Sequence, residues 1–376
     1  MRSRCLRAAI LGVILAGLAG VAQAQGILAS PPPIRTVIDD NAVDLATGSY
    51  TVSAEEVVIG KPGAGGLSYV RTFFQNGWRH SYMGTLNAVG SLYTVSIGGS
   101  SETFTLSGGV YVQNQGRGST LTFNAANQTY TYTTPEGAVA VFDKALAVSA
   151  PAASEGLITS LTKPDGEKIT FAYRSVNLCV PAGGGGCSSY YYSRRLQSVN
   201  NNLGYQLRFF YASNTATMQA DDAAWSSLAS VVGLNDISLY CDPQADSCGT
   251  LSTSWPKVTY ATPGDNSSAR TVTDNAGRVI RYTYSGGKIV AVRRASSGVD
   301  NITITYNATT GRVASVSNGV GTWTYGVTVG SPTVTTITDP LSHQKVATTS
   351  GDLVQSMKDG LNRTTSFGYD SYGRLT

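Results

Sequence analysis

The sequence predicts an all-β protein, an N-terminal β-meander followed by antiparallel β-hairpin repeats. Short runs rich in Val, Thr and Tyr alternate with Gly, Asn and Ser turn clusters about every ten residues. Amphipathic helical periodicity is nearly absent; the one helix candidate, residues 221–232, is equally compatible with a loop that leads into a strand. A short motif also recurs along the second half of the chain, which is typical of repeat architectures.

Residues 1–24 have the organisation of a secretory signal. Arg2, Arg4 and Arg7 precede a small and apolar run at 8–21, and Ala22-Gln23-Ala24 offers a cleavage site. The run is too short to span a bilayer of about 30 Å comfortably. We therefore expect a mature chain that does not span the membrane and is secreted, periplasmic or at the cell surface. Residues 25–42, which contain Pro31-Pro32-Pro33, are predicted to be an extended leader.

The charge of the chain argues against nucleic acid as a partner. The formal charge is +4, but three of the 27 basic residues belong to the signal while all 23 acidic residues remain, which leaves about +1. The mature sequence has no cluster of Lys and Arg that could neutralise a phosphate backbone.

Four cysteines remain after the signal, in two closely spaced pairs. In an exported protein an even number suggests disulfides, and the short spacing favours the local bridges Cys179–Cys187 and Cys241–Cys248 over the other two connectivities. A zinc site is disfavoured, because the pairs lack zinc-ligand spacing and the histidines are His80 and His343. We expect no metal and no cofactor.

Residues 43–150 are predicted to form the N-terminal β-rich domain. Strands are expected at 51–59 and 67–74, joined by a loop whose glycines, 63-Gly-Ala-Gly-Gly-66, act as a turn and not as a phosphate cradle. A meander of antiparallel hairpins follows. Its predicted strands are 92–97, 102–106, 110–113, 121–124, 130–134 and 138–142.

Residues 151–376 carry the repeats. The first half of each repeat is an apolar-x-Ser-apolar motif, which is often followed by a turn with Asp or Asn and Gly. The second half is a strand that ends on an aromatic residue. The motif copies, some with Ala or Thr in place of Ser, begin at Ile158, Leu196, Leu228, Ile289, Val313, Val334 and Val354. The late copies, with Leu375, lie about 20 residues apart, so we expect one stacked β-hairpin per repeat.

These repeats resemble the Rhs/YD-repeat family over roughly residues 155–376. Tyr369-Asp-Ser-Tyr-Gly373-Arg374-Leu375 is similar to the family motif Tyr-Asp-x-x-Gly-Arg-Leu, and residues 306–313 and 274–278 are looser copies. The resemblance implies a long β-sheet that spirals into a shell, which in relatives encloses a C-terminal toxin or contacts carbohydrate at the cell surface. The Asp-Pro-x-Gly cleavage signature is absent, so the toxin function is not carried over. Because the last repeat is unfinished, we expect the chain to be part of a longer one.

The sequence offers no convincing catalytic constellation. A nucleophilic triad needs a base, but His80 lies in a strand-end cluster and His343 occupies a turn position that Gly or Asn fills in other repeats. A glycosidase needs two carboxylates about 5–10 Å apart. The adjacent acids Glu55 and Glu56 are expected on opposite faces of a strand, and Asp221 and Asp222 cannot be paired from sequence. We therefore predict that the protein is not an enzyme.

The sequence leaves three functional hypotheses. The first is an exported, non-catalytic structural and interaction protein, the N-terminal part of a YD-repeat shell, with a C-terminal effector or a separate chain as partner. The second is a protein that binds surface carbohydrate through exposed aromatic residues, for which Tyr190, Tyr191 and Tyr192 are the candidates. The third is a polysaccharide hydrolase with an unrecognised acid pair.

Overall fold

The computed structural model describes residues 38–61, 65–147, 154–235, 254–262, 269–351, 353–370 and 375–376. It confirms the all-β prediction, with antiparallel sheets of 2, 23 and 3 strands. Among these residues one short α-helix, α1, spans Asp222–Ser226. The strands are β1 Val43–Asp44, β2 Ser49–Tyr50, β3 Val52–Ile59, β4 Leu67–Phe74, β5 Gly77–His80, β6 Gly84–Val89, β7 Leu92–Ile97, β8 Ser100–Ser107, β9 Val110–Gln113, β10 Thr120–Asn124, β11 Thr129–Thr133, β12 Val139–Asp143, β13 Ser154–Thr162, β14 Lys168–Pro181, β15 Cys187–Asn201, β16 Gln206–Tyr211, β17 Leu228–Leu234, β18 Lys257–Ala261, β19 Ala269–Thr273, β20 Val279–Ser285, β21 Lys288–Arg293, β22 Ile302–Tyr306, β23 Val313–Ser317, β24 Thr322–Thr328, β25 Thr333–Thr338, β26 Gln344–Ser350, β27 Leu353–Lys358 and β28 Thr364–Ser366.

The large sheet forks at β13. From β10 to β28 each strand pairs with the next one in sequence. The C-terminal half of β13 pairs with β14, while its N-terminal half pairs with β6, which begins the run β6 to β9. Because β9 also lies beside β10, the eight strands from β6 to β13 form a ring around their own apolar side chains.

A β-bulge explains the apolar-x-Ser-apolar motif. Its first and fourth positions are three residues apart and would face opposite sides of a regular strand. In β23 the pairing shifts between Thr305 and Tyr306, which leaves Ala314 as the extra residue. Val313 and Val316 can then both face the core, and each is 1% exposed. The equivalent extra residues in five other copies are Thr159, Gln197, Ala229, Val290 and Gln355.

The aromatic residue that ends the second strand of a repeat is hydrogen-bonded to the first strand of the same repeat. In three copies a tyrosine hydroxyl donates a hydrogen bond to the backbone carbonyl at the first residue of a motif. These bonds are Tyr211 to Leu196 (2.6 Å), Tyr306 to Ile289 (2.8 Å) and Tyr369 to Val354 (2.7 Å). Each adds roughly 1 kcal/mol to the stacking of apolar faces.

Eight turns in the described part of the chain share one five-residue form, which two backbone hydrogen bonds close. Its copies are residues 39–43, 134–138, 163–167, 182–186, 201–205, 274–278, 339–343 and 359–363. The fourth residue has positive φ, and it is Gly except at Ala42, Ser342 and Asn362. Asp274, Asp339 and Asp359 accept backbone N–H bonds inside the turn, which confirms the Asx-turn role of these aspartates. The placement of His343 in a Gly or Asn position was wrong, because Ser342 takes that position.

The N-terminal segment packs across the repeats. The β1–β2 hairpin lies on β23 to β25, where the N–H of Val313 donates to Gly48 O (2.8 Å) and Arg312 donates to Ala46 O (2.7 Å). Tyr325 OH donates to the carboxylate of Asp39 at 2.6 Å. One hydrophobic core contains side chains of both regions. The predicted domain boundary near residue 150 therefore does not coincide with a break in the core.

The three-stranded sheet β3–β5 also packs on the repeats, where it contacts strands β16 to β20. Aromatic pairs join the two layers, with ring centroids 5.6 Å apart for Tyr69 and Phe209 and 5.2 Å apart for Trp78 and Tyr282. The approach is close at Gly233, where a Cβ would lie 2.9 Å from Ile59 Cβ. A glycine fits there because a Cβ on β17 would press against the side chains of Ile59 and Val57 on β3.

Candidate functional site

A long β-hairpin projects from the large sheet. Strands β14 and β15 pair from Ile169–Asn201 to Pro181–Cys187. Their neighbours β13 and β16 reach only the first few pairs at the base. Residues 173–181 and 187–195 therefore extend beyond the adjacent strands by about 30 Å. We call these residues the tyrosine arm.

The two faces of the arm differ in what covers them. Tyr191 and Ser193 point toward α1, and their hydroxyls donate to the carboxylate of Asp222 at 3.1 and 2.6 Å. Residues 190 and 192 point the other way, as alternation in a strand requires. Tyr190 is 61% and Tyr192 49% exposed. Of the three predicted glycan contacts, the arm thus presents Tyr190 and Tyr192 to solvent together, while Tyr191 is half-buried.

A disulfide between Cys179 and Cys187 closes the tip of the arm, as predicted, with a Cα–Cα distance of 5.3 Å. The second predicted pair, Cys241 and Cys248, lies outside the described residues, as do the signal at 1–24, most of the 25–42 leader, and Gly63 and Ala64 of the glycine-rich loop. The disulfide fits an exported location, where such bonds persist.

An arginine fastens β4 to the repeats. Arg71 donates two hydrogen bonds of 2.7 Å to Glu56, and its guanidinium lies between the rings of Trp78 and Tyr260, 4.2 and 4.1 Å from their centroids. Tyr260 OH donates to the same carboxylate. Burial, with the nearby Tyr69 and the charge of Glu56, raises the pKa of Tyr260, so the hydroxyl keeps its proton. We call Arg71, Glu56, Trp78 and Tyr260 the arginine latch.

Beside the latch lies a cleft of about 520 Å³. Its walls come from the β4–β5 turn, the start of β17, and strands β18 to β20, and they include the aromatic rings of Trp78, Tyr260, Tyr282 and Tyr284. Trp78 Nε1 donates to Tyr284 OH at 2.9 Å. Clefts of this size that combine apolar walls with a few polar groups are the usual form of ligand sites. No local sequence pattern indicates this cleft, because its residues come from distant parts of the chain.

The acidic residues considered for hydrolysis have structural partners. Glu55 accepts from Ser68 on the exposed face of β3, while Glu56 belongs to the latch, which confirms that they face opposite ways. The carboxylate of Asp221 accepts the backbone N–H groups of residues 217 and 218, both at 2.9 Å. The carboxylate of Asp222 accepts hydrogen bonds from Tyr191 and Ser193 of the tyrosine arm.

His80 is half-buried between Tyr69 and Phe209, with ring centroids 5.3 and 5.7 Å away. Its Nδ1 accepts the backbone N–H of Tyr82 at 3.2 Å. Burial, with a smaller effect of the Arg71 charge, lowers its pKa to about 3, so the ring is neutral. His343 is exposed beside Asp339, with Nδ1 and Oδ2 3.0 Å apart. The contacts of both histidines are therefore those of structural residues.

The described part of the chain contains no cluster of three or more His, Cys, Asp or Glu side chains placed to hold a metal ion. None of its helices has the length and apolar character needed to cross a membrane. Comparison with models of known protein families and with curated proteins gave no match.

Proposed function

We propose that this chain is an exported, non-catalytic structural and interaction protein built from YD-type hairpin repeats. The observation that carries the proposal is the tyrosine arm, which projects from a sheet that the N-terminal segment braces on its inner face. A braced sheet supplies a rigid base, and the arm supplies an exposed aromatic surface on it. The repeated turns, bulges and tyrosine hydrogen bonds support the resemblance to Rhs/YD-repeat proteins.

Carbohydrate at a cell surface is the second candidate, because Tyr190 and Tyr192 share one face of the arm. Residues two apart in a strand lie about 7 Å apart, which suits stacking against an extended glycan. Arg194 lies on the same face, with its guanidinium 5.4 Å from the Tyr192 ring. Its guanidinium donates to the carbonyls of Ala145 and Ala147, so this face is held at its base.

The test is a glycan array with the wild-type protein and the double variant Tyr190→Ala/Tyr192→Ala. We expect the wild type to bind and the double variant to lose at least about 90% of the signal, since aromatic anchors dominate such contacts. Tyr191→Phe is the matched control, because it alters the opposite face of the arm. Equal binding by wild type and double variant would refute the carbohydrate assignment. Turnover on a panel of polysaccharides and peptidoglycan would refute the non-catalytic proposal.

A further inference from the structure

The cleft beside the arginine latch has an electrostatic imbalance at its rim. Arg71 is neutralised by Glu56 through two hydrogen bonds. Arg270 also lines the cleft and is exposed, and no ion pair among the described residues includes it. Its Nη1 donates to Thr262 Oγ1 at 2.9 Å, which orients the guanidinium and leaves other N–H groups for a ligand. Among the described residues, the cleft therefore carries one positive charge without a partner carboxylate.

The position of this charge follows from the strand register. Arg270 on β19 pairs directly with Tyr282 on β20, so the two side chains leave the sheet on the same face. Arg270 also lies close enough to Tyr284 that its charge opposes the rise in the pKa of that phenol, which burial causes. Arg270 therefore lines the cleft on the same sheet face as its aromatic wall, and Asn76 adds a neutral amide to the lining.

We propose that this cleft binds a ring compound that carries one carboxylate, with the ring against the aromatic wall and the carboxylate on Arg270. A guanidinium binds a carboxylate through parallel N–H···O bonds, which is the strongest common pairing for such an anion. A volume of about 520 Å³ admits one to three rings. An acidic sugar unit and an aromatic acid share this chemistry. The site has no residue in common with the tyrosine arm.

Isothermal titration calorimetry separates the two sources. The probes are tri-galacturonate for an acidic sugar and 4-hydroxybenzoate for an aromatic acid, each compared with its methyl ester. We expect at least one acid to bind and its neutral ester to bind about 10- to 100-fold more weakly, because the ester loses the charge-assisted hydrogen bonds. Binding of only one acid identifies the source, and binding of both supports the shared chemistry.

Two substitutions test the role of Arg270. Arg270→Gln should weaken binding of the acid about 10- to 100-fold, and Arg270→Lys should weaken it less because the charge remains. Arg278→Gln is the matched control and should bind as the wild type does, since Arg278 lies in the next turn, pairs with Asp274 and is 70% exposed. The proposal is overturned if neither acid binds, if the ester binds as tightly as the acid, or if Arg270→Gln changes nothing. The Tyr190→Ala/Tyr192→Ala variant should bind the acids normally, so failure of this site and failure of the arm are distinguishable.

Discussion

Removal of the latch arginine should destabilise the fold far more than removal of an arginine from a surface pair. In Arg71→Met the methionine fills part of the space between Trp78 and Tyr260, but Glu56 is left as a buried carboxylate without its cation. The exposed fractions of the two side chains are 12% and 5%. Breaking a buried pair from one side costs about 3–5 kcal/mol, a large part of the 5–15 kcal/mol that stabilises a typical protein.

The matched control is Arg363→Met. Arg363 also makes a 2.7 Å ion pair, with Asp359, but these side chains are 76% and 35% exposed. We expect a loss of at most about 1 kcal/mol there. Urea unfolding followed by tryptophan fluorescence measures both variants, and a constant m-value shows that the comparison is valid. Equal losses for the two substitutions, or a loss below about 1 kcal/mol for Arg71→Met, would refute the view that the latch fastens the N-terminal sheet.

Two further substitutions test the contact of the N-terminal segment with the repeats. In urea unfolding, Gly48→Ala should lower the free energy of unfolding by at least about 1 kcal/mol more than Gly319→Ala does. Both residues have positive φ, but only at Gly48 would a Cβ meet a neighbour, Arg312 Cγ at 2.5 Å. Equal losses would contradict the contact. In the folded protein the pKa of His80 is lowered to about 3, below the usual 6.5. The contribution of the neutral ring to the free energy of unfolding is therefore complete above pH 6.5 and is lost as pH falls toward 3. In the control variant His80→Asn, Oδ1 can accept the hydrogen bond that Nδ1 accepts in the wild type. The difference in free energy of unfolding between the wild type and this variant should shrink by about 1 kcal/mol per pH unit between pH 6 and 4. A constant difference would exclude a neutral ring at position 80.

Features that depend only on residues close together in the sequence were predictable. Strands β4, β7 and β9 begin and end where alternation and turn residues placed them. The motif copies all fall on strands, and the turn aspartates make the predicted local hydrogen bonds. Strand β6 was missed because Gly84 and Asn87 weaken its β-pattern, although Leu86 is buried in the ring of strands.

The tyrosine arm and the latch illustrate what sequence reasoning could not supply. The glycine run at 183–186 indicated a loop, and nothing in the adjacent residues showed that the strands continue up to it. Likewise, the partners Arg71 and Tyr260 are separated by most of the chain, and their contact depends on how the N-terminal sheet lies against the repeats. Pairing of this kind needs three-dimensional coordinates, because no local pattern encodes it.

The bulge in the repeat motif is intermediate between features that the local sequence predicts and features that depend on the fold. An apolar spacing of three within a predicted strand indicates an extra residue, and six motif copies obey that rule. The copy at Val334 has the same spacing but pairs in regular register, so the spacing permits a bulge without requiring one. One extra residue, Ala229, lines the candidate cleft, as do Gly77 and Trp78 on β5. The cleft thus combines a local feature, a small residue at a bend in β17, with a non-local one, the edge of the N-terminal sheet. A sequence pattern can locate the first wall of such a site, and only the packing of the N-terminal segment supplies the second.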